Sequence, residues 1–199
     1  MITEKRKLLQ LVAAVLLAVM LLTACASGAS KAADKIELGQ KYLTELNYTE
    51  AVASFTEAIR LDPDNIQAYM GRAEAYLALG EYEKALEDYR FVSQKTEEMP
   101  YTRAISYMGQ AEVYEKIDKQ DRALADYGLA KVLLTASDVG KAESVSEDDI
   151  KIKLVEALYA HAMLSEKIKV YDNALEDYEE LLKLGEKVEA KRGEILSQL

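Results

Sequence analysis

The chain of 199 residues has a single cysteine, a single histidine and no tryptophan. One cysteine excludes an internal disulfide, and no cysteine or histidine cluster has the spacing of a metal site. Only two prolines and nine glycines interrupt the chain, which favours helices. The sequence also lacks a glycine-rich phosphate loop. We therefore expect a protein without a cofactor or a metal site, and not an enzyme.

Basic residues are in deficit: 25 lysines and arginines face 35 aspartates and glutamates, a formal net charge of −10. Residues 1–24 are net basic, so the remainder is still more acidic. An acidic body repels phosphate backbones, which excludes nucleic acid as a partner. A basic or neutral segment of another protein fits better. The same acidity would also keep an exported protein soluble, without any role in binding.

A basic start followed by an apolar run, residues 8–22, opens the chain. This is the layout of a secretory signal, and the run is short for a helix that spans a membrane. The run ends in Leu22-Thr23-Ala24-Cys25, which contains the only cysteine. An ordinary cleaved signal peptide and an uncleaved anchor helix are the alternatives, but neither gives that cysteine a role.

The tetrapeptide Leu22–Cys25 resembles the lipobox of bacterial lipoproteins. In that family the cysteine thiol receives a diacylglyceryl group and the peptide is cut before the cysteine. The resemblance implies a signal peptide at 1–24, a lipidated Cys25, and a tether at 25–33 of small and polar residues. The protein would then be exported and anchored to the cell membrane, or to the outer membrane of a cell with two.

One short pattern recurs four times in the rest of the chain. The copies read YTEAVASF, YEKALEDY, QDRALADY and YDNALEDY, and they occupy 48–55, 82–89, 120–127 and 171–178. Each copy carries an alanine followed four residues later by an aromatic residue. The alanines are Ala51, Ala85, Ala123 and Ala174, and the first two are 34 residues apart. Such a period predicts an array of structural repeats.

The first unit reads Leu38-Gly39-x-x-Tyr42, then Ala51-x-x-x-Phe55, then Pro63. This pattern resembles the tetratricopeptide repeat (TPR). The resemblance implies an all-α fold, a right-handed solenoid of about four helix-turn-helix pairs with a C-terminal capping helix. A coiled coil is the structural alternative, but it needs a seven-residue apolar repeat. The array would occupy 34–199, with units at about 32–65, 66–99, 104–137 and 147–185, an insertion at 136–149 and the capping helix at 186–199.

Small and apolar periodicity places the helices at about 34–46, 49–61, 65–79, 82–95, 101–117, 120–136, 147–168 and 171–184. Within the insertion, Gly140 predicts a helix stop and Ser146 predicts an N-cap. The insertion is either a solvated loop or a functional excursion. His161 replaces a packing residue of the repeat, which favours a structural histidine.

In TPR proteins the first helix of each pair lines a groove that receives a partner. By that resemblance the groove residues here are Ile36, Gln40, Leu43, Met70, Glu74, Leu77, Met108, Glu112, Glu115, Tyr159, Met163 and Glu166. Four of them form an apolar row: Ile36, Met70, Met108 and Tyr159. The glutamates form an acidic row. Together they predict a partner segment with basic residues beside apolar ones, whereas ordinary solvated helix faces are the alternative.

The sequence therefore predicts a membrane-anchored, exported TPR lipoprotein that acts as a protein-interaction module or scaffold in the bacterial envelope. The alternative is an envelope enzyme or small-ligand receptor in which the repeats only support a site. A deep pocket with converging polar groups would favour the alternative, and an open groove favours the interaction module.

Overall fold

A computed structural model describes residues 30–136, 138–141, 143–185 and Ser197. Eight helices and no strand occur in this part of the chain. Helix α1 covers 30–44. The others are α2 (Tyr48–Leu61), α3 (Ile66–Leu79), α4 (Tyr82–Lys95), α5 (Pro100–Lys116), α6 (Gln120–Thr135), α7 (Glu147–Lys167) and α8 (Tyr171–Lys183). The signal segment, Cys25 and the capping helix predicted at 186–199 lie outside the described residues.

The helix boundaries lie close to those predicted from the sequence, except at the start of α1. Residue 30 is already helical and Ala32 is completely buried. Residues 30–33 therefore belong to α1, and the tether predicted at 25–33 is wrong for its last four residues. Small residues suggested a flexible linker there, but alanine has the highest helix propensity of all residues.

The chain divides into two compact units, residues 1–71 and 72–199. The described part of the first unit is built around Phe55, whose side chain is completely buried. A Cβ atom added at Gly39 would lie 2.8 Å from the Phe55 ring, and one added at Gly71 would lie 2.3 Å from it. Two glycines thus allow the backbones of α1 and α3 to approach the same ring.

In the second unit α5 packs on α6 and α7 packs on α8, while α4 contacts α5 and α6 contacts α7. Alanines at the crossings are completely buried, as the repeat pattern predicts: Ala85, Ala111, Ala123 and Ala174. The aromatic residues that follow are nearly as buried: Tyr89, Tyr127 and Tyr178. The all-α arrangement of helix pairs is confirmed.

The same turn joins the two helices of every pair. A residue with positive φ follows each first helix: Leu46 (60°), Gly80 (76°), Asp118 (57°) and Lys169 (65°). In each turn the next backbone N–H donates to a carbonyl five residues earlier at 2.8 Å, as Lys119 does to Tyr114. This is the Schellman termination of a helix. Its recurrence fixes the antiparallel return of each second helix.

The insertion is attached to the fold through Glu143. One carboxylate oxygen accepts the backbone N–H of Tyr101 at 2.8 Å, and the other accepts the backbone N–H of Thr102 at 2.9 Å and also the Thr102 hydroxyl. These donors lie in the first turn of α5, which has no helical partners for them. Ser146 caps α7 as predicted, since its hydroxyl accepts the Asp149 N–H at 3.1 Å.

The close helix crossings predict a size limit at Ala85, which is completely buried in α4. We expect Ala85→Leu to lower the free energy of unfolding by about 1–3 kcal/mol through overpacking. Ala78→Leu is the matched control, because Ala78 lies exposed on α3 of the same unit. Chemical denaturation of both variants checks this. Equal midpoints would contradict the assignment of Ala85 to a crossing.

Candidate interaction surface on the first helices

The predicted groove residues of the first unit differ widely in accessibility. Ile36 exposes only 5% of its surface and belongs to the core. Gln40 is exposed, while Leu43 and Met70 are half-buried. Ile36 therefore contributes to packing instead of offering a side chain to a partner.

In the second unit the remaining groove residues define what we call the first-helix face: Glu74, Leu77, Met108, Glu112, Glu115, Tyr159, Met163 and Glu166. Met108 exposes only 8% of its surface, whereas Met163 exposes 59%. Glu74 and Glu112 are exposed, and the other four are half-buried. Helix α5 contacts α7 directly, so their groove residues lie on adjacent helices. Met163 is thus the accessible methionine of this face, and Met108 belongs to its floor.

Tyrosines of the second helices extend their hydroxyls to this face. The Tyr127 hydroxyl donates to Glu115 Oε1 at 2.9 Å, and the Tyr178 hydroxyl donates to Glu166 Oε2 at 3.4 Å. In both pairs the glutamate precedes the tyrosine by 12 residues. Burial and the adjacent glutamate raise the pKa of Tyr178 to about 12 and also raise the pKa of Tyr127. Both phenols therefore stay protonated as donors.

Tyr89 occupies the equivalent place in α4, but its hydroxyl has no such acceptor. The residue that precedes it by the same interval is Leu77, where the other two units have glutamate. Tyr89 is only 3% exposed, and within the described residues its hydroxyl makes no hydrogen bond. Burial raises its pKa, and so do the nearby carboxylates of Glu74, Glu112 and Asp88.

The carboxylates of Glu74 and Glu112 are partly shielded from water by the protein around them. Both residues keep solvent-exposed area, yet desolvation raises the pKa of each. Repulsion from Glu115 and Glu74 raises the pKa of Glu112 further. Within the described part of the chain, neither carboxylate takes part in a hydrogen bond or an ion pair. These two carboxylates are therefore partly desolvated and have no direct ion-pair partner among the described residues.

Three lysines that sequence reasoning missed lie beside these glutamates. The Lys153 ammonium donates to Glu156 Oε2 at 2.7 Å, and its charge lowers the pKa of both Glu74 and Glu112. Lys116 and Lys167 line an open cleft of about 390 Å³ together with Glu112 and Glu115. Lys116 and Lys167 each directly follow a groove glutamate in the sequence, which is the signal that could have found them. The acidic row is therefore partly neutralised.

A second set of charged residues recurs between the helices of each pair. In α3 and α4, the guanidinium of Arg72 makes two hydrogen bonds to Asp88, at 2.7 and 2.8 Å. In α7 and α8, Nδ1 of His161 lies 2.5 Å from Oδ2 of Asp177, whose other oxygen pairs with Lys131. Both links join residues 16 apart. His161 is thus a buried structural histidine, as the sequence indicated.

The same link is missing between α5 and α6. Asp126 occupies the aspartate position, but its counterpart is Gln110, which donates to Ser93 Oγ at 3.3 Å instead. Asp126 Oδ2 is buried and has no hydrogen-bond partner among the described residues. Desolvation raises the pKa of Asp126 to about 6, although Arg90 and Arg122 oppose the shift.

Another recess in the second unit lies beside the insertion. It has a volume of about 730 Å³ and is lined in part by Val139, Val145, Ile150, Leu154 and Leu184. Among the described residues, no cluster of histidine, cysteine and acidic side chains is arranged to hold a metal ion. None of the helices in the described ranges combines the length and the apolar character needed to cross a membrane.

Residues 36–90 match the sequence profile of the family described as "Tetratricopeptide repeat". Human small glutamine-rich tetratricopeptide repeat-containing protein beta is 44% identical over 50 residues, 25% of this chain and 16% of that protein. Human Superkiller complex protein 3 is 36% identical over 61 residues, 31% of this chain and 4% of that protein. The chain therefore spans only a small part of these relatives.

Solved structures match over more of the chain. MamA superposes with a TM-score of 0.59 at 17% identity, covering 78% of this chain and 73% of that one. A tetratricopeptide repeat protein from Parabacteroides merdae gives 0.56 at 21% identity, covering 82% and 57%. The first TPR of Spaghetti, bound to the HSP90 peptide SRMEEVD, gives 0.55 at 22% identity, covering 71% and 95%. The protein thus has the tetratricopeptide-repeat fold, and residues 36–90 carry the sequence pattern of that repeat.

Proposed function

We propose that the protein is a protein-interaction module whose first-helix face receives an extended or helical segment of a partner. The observation that carries this is the pairing of an accessible apolar anchor, Met163, with the desolvated carboxylates of Glu74 and Glu112 on one face. Methionine adapts its shape to different partners, and charged groups around an apolar anchor select among them. Clefts that open to solvent suit a peptide better than the small ligand of an envelope enzyme or receptor.

The chemistry of this face points to a partner with basic residues beside apolar ones. The peptide in the Spaghetti complex, SRMEEVD, is rich in acidic residues. A comparable peptide would meet the carboxylates of Glu74, Glu112 and Glu115 here, and like charges brought together cost several kcal/mol. This protein shares its fold with the TPR of that complex, but we propose that it binds a basic segment instead of an acidic one.

Interaction through the first-helix face is tested on Met163. The full chain, solubilised in detergent, is used as bait for envelope proteins, and the captured partner is titrated against variants. We expect Met163→Ala to speed dissociation about tenfold, because buried apolar anchors mainly set dissociation rates. Leu129→Ala is the matched control, since Leu129 is 46% exposed on α6, a second helix. If Leu129→Ala weakens binding and Met163→Ala does not, the partner site lies elsewhere.

We further propose that the module is an exported lipoprotein held at the membrane of the bacterial envelope through Cys25. Its support is the sequence alone: a basic start, an apolar run and the tetrapeptide Leu22–Cys25. Two or three acyl chains would anchor the protein stably, whereas one chain gives only marginal binding. The helical array would then be presented to partners at the membrane surface.

Processing at Cys25 gives an all-or-none test. We expect Cys25→Ala to leave an unprocessed precursor without a lipid, because the thiol is the acceptor of the diacylglyceryl group. Mass spectrometry of the wild-type and variant proteins from membranes measures this. A mature amino terminus at another residue, or an unmodified Cys25, would show that the segment is an ordinary signal or an anchor.

A further inference from the structure

The unpartnered hydroxyl of Tyr89 lies beside a gap in the first-helix face. A Cβ atom added at Gly109 would lie 2.4 Å from Cζ of the Tyr89 ring, so the hydroxyl extends across the backbone of α5 at Gly109. Glu112 follows Gly109 by three residues and lies on the same side of the helix. The phenol is close enough to Glu74 and Glu112 to feel the charges of both. Two carboxylates and one hydroxyl, from α3, α5 and α4, thus lie near one another on this face, and we call the space between them the recess.

Each of these three groups has an unmet electrostatic requirement. The Tyr89 hydroxyl has no partner within the described residues and is left to water, and carboxylates that repel each other while desolvated are unfavourable. A cationic side chain would relieve both, since an ammonium or guanidinium group donates several hydrogen bonds while neutralising the charge. Tyr89 would then accept through its oxygen or donate to a carboxylate.

Lys153, the lysine whose charge affects both carboxylates, does not fill this role. Lys153 lies close enough to influence the pKa of Glu74, Glu112 and Tyr101. Its ammonium, however, is hydrogen-bonded to Glu156 of its own helix, α7. Its side chain is 34% exposed, so it remains at the rim. The acidic character at the recess is therefore reduced by Lys153 but not cancelled.

We propose that the recess bordered by Glu74, Glu112 and Tyr89 receives one lysine or arginine side chain of the partner segment. This rests on the proposed function, and it adds the residue that the partner must carry. The neighbouring apolar surface, with Met163 exposed, receives the side chains beside that basic residue. Leu77 creates the site indirectly, because a glutamate there would occupy the Tyr89 hydroxyl as Glu115 occupies that of Tyr127.

A peptide selection tests this even before the partner is identified. Random twelve-residue peptides displayed on phage are selected against the full chain in detergent. We expect one lysine or arginine to recur at a fixed place among apolar residues. Replacing that residue by norleucine should weaken binding to the wild type about tenfold or more. The double variant Glu74→Gln with Glu112→Gln should bind the selected peptide and its norleucine version with equal affinity, since the carboxylates that distinguish the two are gone.

Two further variants separate the recess from general charge attraction. Tyr89→Phe keeps the ring in the core and removes only the hydroxyl, and we expect it to weaken the basic peptide about threefold to tenfold. Glu83→Gln with Glu87→Gln makes the same charge change on exposed positions of α4, a second helix. That control should leave the affinity nearly unchanged. Unfolding midpoints confirm that every variant remains folded.

Failures of the two proposals are distinguishable. One outcome is that the selected peptides depend on Met163 but carry no recurrent basic residue, or bind independently of Glu74 and Glu112. Either result would overturn the proposal that the recess binds a lysine or arginine, and would still support the first-helix face as the interaction surface. An absence of selected peptides, or peptides insensitive to every first-helix variant, would overturn both. Self-association of the chain that the Glu74 and Glu112 variants abolish would identify a second copy as the occupant and would also overturn the proposal.

Discussion

Asp177→Ala is expected to lower the free energy of unfolding by about 3–5 kcal/mol, because it leaves the half-buried ammonium of Lys131 without its counter-charge and the buried ring of His161 without its hydrogen-bond partner. Asp177 is completely buried, and it accepts from His161 at 2.5 Å and pairs with Lys131. The His161 side chain is 9% exposed and that of Lys131 is 16% exposed, so water cannot replace the lost carboxylate at either site. Three helices, α6, α7 and α8, lose a common attachment point.

Asp126→Ala is the matched control, since Asp126 holds the same place in the preceding pair. There the carboxylate has a buried oxygen without a partner among the described residues, so its removal should leave the stability unchanged or higher. Urea denaturation at neutral pH, followed by far-UV circular dichroism, measures both variants. Equal losses of stability would mean that the aspartate position matters through helix packing alone, and not through its cation.

These two aspartates show how far the repeat could be read from the sequence. The alignment on alanine and tyrosine placed the helices, and the structure confirms them because small residues at a crossing constrain a backbone wherever they recur. The copies of the pattern at Tyr82–Tyr89 and 120–127 have alanine, leucine, aspartate and tyrosine at the same places. Only the partner on the other helix, Arg72 in one case and Gln110 in the other, decides whether the carboxylate is satisfied.

The candidate interaction surface was predicted less completely, for a related reason. First-helix positions indicate which residues face the same side, but not their accessibility. Ile36 and Met108 carry the apolar row in the sequence, yet both are packed into the core, while Met163 is exposed. The free hydroxyl of Tyr89 follows from Leu77, a residue on the other helix of its pair. A site that depends on such cross-helix partners can be recognised only in the folded structure.

Long-range capping was also invisible to the pattern. Glu143 lies in a segment that composition describes as a loop, and its donors at the start of α5 are 41 and 42 residues earlier in the chain. Local signals find caps only when donor and acceptor are neighbours in sequence, as for Ser146 and Asp149. The insertion therefore has a structural attachment that no sequence spacing indicated.

The stability of the protein should depend on pH through Asp126, and Asp126→Asn isolates this dependence. In the folded state the pKa of Asp126 is raised from 3.8 to about 6, chiefly by desolvation. A raised carboxyl pKa means that folding favours the protonated form. Above about pH 6 the group is ionised in the folded protein and destabilises it, whereas below pH 3.8 it is protonated in both states and has no such effect. Each pKa unit equals about 1.4 kcal/mol, and solvent screening of this half-buried side chain reduces the penalty to about 2 kcal/mol at neutral pH.

We therefore expect Asp126→Asn to be more stable than the wild type by about 2 kcal/mol at pH 7–8, because the asparagine amide carries no charge into the buried position. This advantage should shrink as the pH falls from 6 towards 3.8, the range between the folded and unfolded pKa values. Denaturant titrations of both proteins across this range measure the difference, in which every other titrating group cancels. A gap that stays constant with pH would mean that Arg90 and Arg122 already compensate the carboxylate, and that Gln110 in place of a cation costs the repeat nothing.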